Sequence, residues 1–143
     1  MQKFDVIIDT NVVVAAFRSR RGASNELLQR LNDPSVTLHV SNALLFEYEE
    51  VLRRDQAALG LTTQQIDDLL DGFCELAEKH YVSFFWRAVP GDPEDDFLVD
   101  LAVAARVTHL ITHNLAHLQS ARAFGINVVT PAQFLTILRS AYE

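Results

Sequence analysis

The sequence predicts an α/β fold, with a central, mostly parallel five-stranded sheet layered by helices on both faces. Two observations carry this reading. Five short apolar runs of strand length alternate with longer stretches whose apolar residues recur every three or four positions. Turn-forming residues punctuate them, as at Asp33-Pro34-Ser35 and Pro90-Gly91-Asp92-Pro93. Residues 4–8 form the first strand, short and apolar enough to be buried on both faces. A first helix starts near Asn11 and carries Val12 to Phe17. A second spans 23–32, with Leu27, Leu28 and Leu31, and Asp33-Pro34-Ser35 stops it. Residues 36–40 are the second strand, after which Ser41 or Asn42 caps a helix running to Arg54. Residues 63–80 form a further helix, with Ile66, Leu69, Leu70, Phe73 and Ala77 on one face. Residues 81–85 are the third strand, and 94–106 are helical. The fourth strand is 109–112, a helix over 115–124 ends at Gly125, and 126–129 is the fifth strand. Thr130-Pro131 opens the last helix as N-cap and first-turn proline. No repeat, low-complexity stretch or linker interrupts this order, so residues 1–143 read as a single domain.

Composition narrows the function. The 143 residues are 49% apolar and 22% charged, a globular balance with length enough for a real core. Cys74 is the one cysteine, so neither a disulfide nor a cysteine zinc site forms within the chain, which fits a reducing cytoplasm. Asp5 and Asp9 interrupt the N-terminal apolar stretch, which argues against a signal peptide, and no run is long enough to span a bilayer. The net charge of −7 argues against a broad electrostatic grip on nucleic acid. It is compatible with a local cation site.

The carboxylates carry the chemistry. Residues 6–11 read Val-Ile-Ile-Asp-Thr-Asn, an apolar strand ending abruptly in an acid. An acid beside a core loses hydration unless something meets it. Two readings fit Asp9, a ligand for a cation and an N-cap for the helix that follows. Glu47 borders the apolar stripe of Leu44, Tyr48 and Val51, where a site residue and a solvated rim residue look alike. Asp92, Glu94 and Asp95 precede a helix, where negative charge suits the macrodipole. Asp96 and Asp100 lie one turn apart on a helix that is otherwise apolar from Phe97 to Ala105. Like charges so placed cost stability unless a cation or donor meets them. Acids of this kind suit Mg²⁺ or Mn²⁺, which prefer oxygen ligands. A zinc site on His109, His113 and His117 is not expected, because the first falls in a strand. In parallel sheets ligands collect beyond the carboxyl ends of strands, where Asp9, Ser41 and Thr112 all fall.

These segments, taken in order, resemble the PIN domain (PilT N-terminus) family, specifically its bacterial branch of VapC-like toxin–antitoxin ribonucleases. Asp9-Thr10-Asn11-Val12 resembles the opening motif, and Ser41 through Glu47 the family's S-x-x-L-x-x-E segment. Asp92-Pro93-Glu94-Asp95-Asp96 before Leu101-Ala102 resembles its acidic turn and Ala-rich helix. Ile111-Thr112-His113-Asn114-Leu115 resembles the V-T-x-N/D strand end, and Thr130 through Leu135 the last helix. The resemblance spans nearly the whole chain. It implies a PIN-like three-layer α/β/α fold and a metal-dependent endoribonuclease using Mg²⁺ or Mn²⁺. Asp9, Glu47 and Asp96 match the three metal-binding acids, with Asp100 as a further candidate. Thr10 and Asn11 match residues supporting the first acid, and Asn114 stands where a fourth site group often sits. Relatives usually carry an aspartate there or three residues later, where this chain has Asn114 and His117. That departure keeps a second reading open, a catalytically weak or inactive module that binds RNA or protein. Ser41 and Thr112 complete the supporting set, with Asn11, Asn114 and His117 orienting substrate. The family also implies an RNA substrate, a cognate antitoxin, a homodimer and a cytoplasmic setting.

Three further segments bear on RNA. Arg18, Arg20 and Arg21 follow the first helix closely and suit phosphate contacts, as do Ser24 and Asn25 at the next helix start; a solvated basic loop is the plainer alternative. Arg53-Arg54 suits an exposed helix end. Trp86-Arg87 suits packing or a dimer contact better than base stacking. A phosphohydrolase of the haloacid dehalogenase type also begins with an acid after its first strand. It needs a second Asp two residues on, where Asn11 stands, and a late lysine, of which there is none beyond Lys79.

Overall fold

The computed structural model describes residues 2–82 and 93–142, with the side chains of 93–96 left out of the description. Its centre is one five-stranded sheet in the order β3-β2-β1-β4-β5, with β1 Phe4–Ile8, β2 Val36–Ser41, β3 Glu78–His80, β4 His109–Ile111 and β5 Asn127–Val129. Every pairing is parallel, as the α/β reading expects. The helices are α1 Thr10–Arg18, α2 Ala23–Gln29, α3 Asn42–Arg54, α4 Gln56–Leu59, α5 Thr63–Leu76, α6 Pro93–Ala104 and α7 Pro131–Ser140. A 3-10 segment, Leu115–Phe124, joins β4 to β5. No described helix is long and apolar enough to cross a membrane.

The central strand explains the arrangement. Phe4, Val6, Ile7 and Ile8 of β1 are all buried, as a strand covered on both faces requires. On one face Phe4 meets Phe134 of α7 and His109 edge-on, at ring distances of 5.5 and 5.6 Å. In α6, Leu98, Val99, Leu101 and Ala102 are buried, so the helix is covered on most of its circumference. The chain leaves α6 through a Schellman turn, in which Val107 N–H donates to Ala102 O and Arg106 N–H to Val103 O. Arg106 takes the left-handed conformation there, φ 55°, where glycine is usual. Two helices open with full capping boxes, Thr62 with Gln65 and Thr130 with Gln133.

Four boundaries differ from expectation. The helix expected over 63–80 ends at Leu76, and the third strand is Glu78–His80 rather than 81–85. Tyr81 and Val82 follow that strand, and 83–85 lie outside the described residues. Ala77 closes the helix with its N–H on Phe73 O and turns extended. The polar Glu78-Lys79-His80 then suits an edge strand, where apolar alternation is not needed. The segment 115–124 is 3-10 rather than α-helical, with a break at Leu118. Its apolar residues, Leu115, Leu118, Ala121 and Phe124, recur every three positions, the period that eclipses side chains in a 3-10 helix. The second helix stops at Gln29 rather than 32, because Arg30 N–H already turns back to Leu27 O. The short helix α4 has only one buried residue, Leu59, too little to mark it in sequence.

One face of the sheet carries a cross-strand chain of titratable groups. Asp5 Oδ1 lies 2.9 Å from His39 Nε2, and His39 Nδ1 lies 2.7 Å from His80 Nε2. This fixes β3 against β2. Burial and the neighbouring His39 lower the His80 pKa, and burial lowers that of His109. Unfolded, both histidines take up protons more readily, so their contribution is whole above about pH 6.5 and is lost as pH falls. The urea midpoint is therefore expected to be lower near about pH 5.5 than near about pH 7.5. An equal or higher midpoint at the acid end contradicts this.

Candidate functional site

The chain order of the sheet reverses at β1, which is flanked by β2 on one side and β4 on the other. Ligands of such sheets bind beyond the carboxyl ends of the strands at that point. Asp9 leaves β1 there and Thr112 leaves β4, and Asp9 N–H donates to Ile111 O at 2.9 Å. The two residues meet although 103 positions separate them, with Thr112 Oγ1 donating to Asp9 Oδ2 at 2.8 Å.

Asp9 occupies the N-cap position of α1, but its side chain makes no capping bond. Oδ2 instead receives Thr112 and, at 3.3 Å, Asn11 Nδ2. Thr112 is wholly buried and its hydroxyl is fully used. It donates to Asp9 and accepts from Asn11 Nδ2 at 3.3 Å and from Asn114 N–H at 3.0 Å. Asn11 completes the ring by accepting from His113 N–H through Oδ1 at 3.2 Å. Asp9, Asn11, Thr112, His113 and Asn114 are thus one hydrogen-bonded unit across two strand ends.

A second carboxylate reaches the same place from α3. Thr10 Oγ1 donates to Glu47 Oε2 at 2.8 Å, so the residue after Asp9 orients the second acid. Tyr48, fully buried beside Glu47, donates its hydroxyl to Ile8 O, the carbonyl just before Asp9. Burial pushes the Tyr48 pKa well up, and the charges of Asp9 and of Glu47 push it further. Both acids therefore act electrostatically on one buried phenol. Sequence reasoning had placed Tyr48 only in an apolar stripe; a hydroxyl on a buried stripe is the signal that marks it. Tyr48→Phe is expected to cost about 1–2 kcal/mol, because the bond that ties α3 to the end of β1 is lost. Chemical denaturation checks this, and an unchanged midpoint rules out the anchoring role.

The other candidates divide. Ser41 is buried and accepts from Leu44 N–H at 3.2 Å, so it caps α3. Asn114 and His117 are exposed, the latter in the 3-10 segment. Asp100 is 5% exposed on α6. Asp96 belongs to the first turn of α6, but its side chain lies outside the described residues, as do Asp92, Trp86 and Arg87 entirely. Arg18, Arg20 and Arg21 are exposed around the α1–α2 connection. Arg20 lines a groove of about 620 Å³ with Phe17, Asn25, Leu61, Gln65 and Leu69. Asn25 ties α2 to α1 by donating to Ala16 O at 2.9 Å. Arg53 donates to Glu49 at 2.8 Å and to Asp67 at 2.6 Å, so it joins α3 to α5.

Asp9 and Glu47 supply only hard oxygen donors, each oriented by a neighbouring hydroxyl, and this donor set fits a hard divalent cation. Among the described residues no group of three His, Cys, Asp or Glu is placed to hold a metal ion. The side chain of Asp96 lies outside that set.

Comparison with known proteins gives the family and the fold. The family model described as PIN domain matches residues 5–116. Two solved structures are similar in fold. VapBC2 from Rickettsia felis, bound to a DNA fragment from their promoter, superposes with a TM-score of 0.58 at 16% identity, over 88% of this chain and 98% of that one. VapBC-1 from nontypeable Haemophilus influenzae gives 0.58 at 16% identity, over 90% and 98%. No curated protein sequence matches the chain.

Proposed function

The chain belongs to the PIN domain family, and from that premise we propose a metal-dependent endoribonuclease that hydrolyses RNA phosphodiester bonds as the toxin of a type II toxin–antitoxin pair. The observation that carries this reading is the convergence of Asp9 and Glu47 at the sheet's switch point, each held by a hydroxyl. Asp9 and Glu47 would hold a Mg²⁺ or Mn²⁺ ion, with Asp96 assigned beside them on the family pattern and Asp100 as a further acid of the same helix. When bound, the ion supplies Lewis-acid charge for hydrolysis of the phosphodiester. Thr112 and Asn11 fix the Asp9 carboxylate, and Thr10 fixes Glu47, so little reorganisation is left for the reaction. Asn114 and His117, both exposed beyond β4, orient the substrate. Arg18, Arg20 and Arg21 offer positive charge to phosphates in a chain of net charge −7.

The partners follow the same reading. The similar folds belong to VapBC assemblies, which supports a cognate antitoxin for this chain. Phe46 and Tyr81 are 67% and 85% exposed, apolar surface of the kind that a second copy or an antitoxin covers. A cytoplasmic setting accords with an RNA substrate.

One observation favours a second reading, that of an RNA- or protein-binding module. The corner beyond β4 carries Asn114 and His117, neither of which brings fixed negative charge. Purified protein stripped with a chelator, then given labelled RNA with and without Mg²⁺ or Mn²⁺, separates the two. Cation-dependent cutting is expected. Binding without cutting under any cation favours the module. Induction in a host is expected to arrest growth, and normal growth with abundant folded protein contradicts the toxin role.

A further inference from the structure

We propose that His113 is an RNA-contacting residue, holding the phosphate next to the one cleaved, and that Ser24 is its positioning residue. The proposal rests on the reading of the acid site as a ribonuclease centre. Ser24 is the second residue of α2 and only 4% exposed. Its Oγ lies 2.7 Å from His113 Nε2, a contact spanning 89 positions of sequence. His113 itself is exposed. An exposed histidine is ordinarily free to turn, but this one is held at both ends. Its main-chain N–H donates to Asn11 Oδ1, and its neighbour Asn114 donates to the Thr112 hydroxyl that orients Asp9. The ring tip is held by Ser24 from the other side.

The pairing also bears on the ring's chemistry. The buried Ser24 hydroxyl and His113 Nε2 are hydrogen-bond partners at 2.7 Å, with donor and acceptor set by the tautomer of the ring. In the tautomer that suits a phosphate ligand, the hydroxyl donates to Nε2 and the imidazole proton sits on Nδ1. That nitrogen is the one nearer the main chain, whose N–H donates to Asn11 Oδ1. That leaves Nδ1–H as a donor for a phosphate oxygen of an anionic substrate, on a residue whose main chain is tied to the acid site through Asn11. The position also gives the substrate a path. Ser24 opens the helix that Arg20 and Arg21 precede, so the pair links the strand-end acids to the basic connection between α1 and α2. The ligand class is the sugar–phosphate backbone of single-stranded RNA.

Two readouts test this in the full chain. The first is the affinity of a fluorescent single-stranded RNA for proteins carrying Asp9→Asn, which prevents turnover. The second is kcat and KM for the same RNA with Mn²⁺ present. Adding His113→Ala is expected to weaken binding and raise KM by about tenfold, with kcat changed less than about threefold. His113→Gln, which keeps an N–H donor, is expected to recover most of the affinity. Ser24→Ala is expected to weaken binding about threefold, because the ring is freed but not removed. His113→Ala leaves the buried Ser24 hydroxyl without this partner, so a lowered melting temperature is expected and affinities are compared on protein shown to be folded. Equal affinity and equal KM for wild type and His113→Ala overturn the proposal and leave the pair as a staple between α2 and β4. A wild-type protein that binds the RNA without cutting it overturns the nuclease reading. In that case a loss of affinity in His113→Ala still supports the contact.

Discussion

Asp9→Asn is expected to lower RNA cleavage by at least about a hundredfold. It is expected to leave stability within about 1 kcal/mol of wild type. The two effects separate because of where the residue stands. The side chain does not cap α1, so helix α1 does not depend on its charge. Its side chain accepts from Thr112 and from Asn11, and the amide oxygen of asparagine can accept both. What the substitution removes is the negative charge that would hold the cation against Glu47. A single-turnover assay on labelled RNA reads the first effect, and a urea titration reads the second. Full cleavage by Asp9→Asn would remove the residue from the mechanism. A loss of several kcal/mol would mean that its role is structural.

Thr112→Val is expected to cost about 2–3 kcal/mol and to reduce cleavage by about ten- to a hundredfold. The hydroxyl is buried and all three of its hydrogen-bonding positions are filled, by Asp9, Asn11 and the Asn114 main chain. An isosteric valine leaves each of those partners short of a bond, and it frees the Asp9 carboxylate to turn. Thr112→Ser keeps the hydroxyl and is expected to restore most of both losses. Restoration by serine is the sign that bonding, not side-chain volume, sets the effect. Denaturation midpoints and cleavage rates of the two variants decide it. Valine and serine proteins of equal activity would show that Thr112 only fills space.

Much of this arrangement was legible in sequence, for reasons that differ by element. The first strand announced itself because β1 is buried on both faces and reads as an unbroken apolar run. Ser41 and Thr130 were readable as caps because their bonds are local, made three residues along the chain. The β3 edge was not readable. Its three residues are polar, and its position is set by pairing with β2 and by the His39–His80 contact, neither of which leaves a local pattern. The 3-10 segment could have been read, since its apolar residues recur in threes, but helical spacing was the commoner template.

The candidate site shows the same division. Periodicity alone left Asp9 open as a helix cap or a ligand; its place at a strand end put it on one edge with Ser41 and Thr112, and an ordered set of motifs tied it to Glu47. The contact of Asp9 with Thr112 spans 103 positions, a pairing that a single sequence cannot display. Tyr48 was hidden inside an apolar stripe, and His113 stood at the unspecified position between Thr112 and Asn114. Each acquires a role only when the strand ends are brought side by side. The parallel order β2-β1-β4 does this, and sequence spacing does not encode it.

The most direct test of the central claim is the cleavage rate of a labelled RNA as Mn²⁺ is added back to chelator-stripped protein, with Glu47→Gln run in parallel. The account predicts no cutting without the cation. It predicts a rate that rises to a plateau for wild type, and no such rise for Glu47→Gln at the same concentrations. Cutting that is equal with and without cation, or equal in the two proteins, would contradict it.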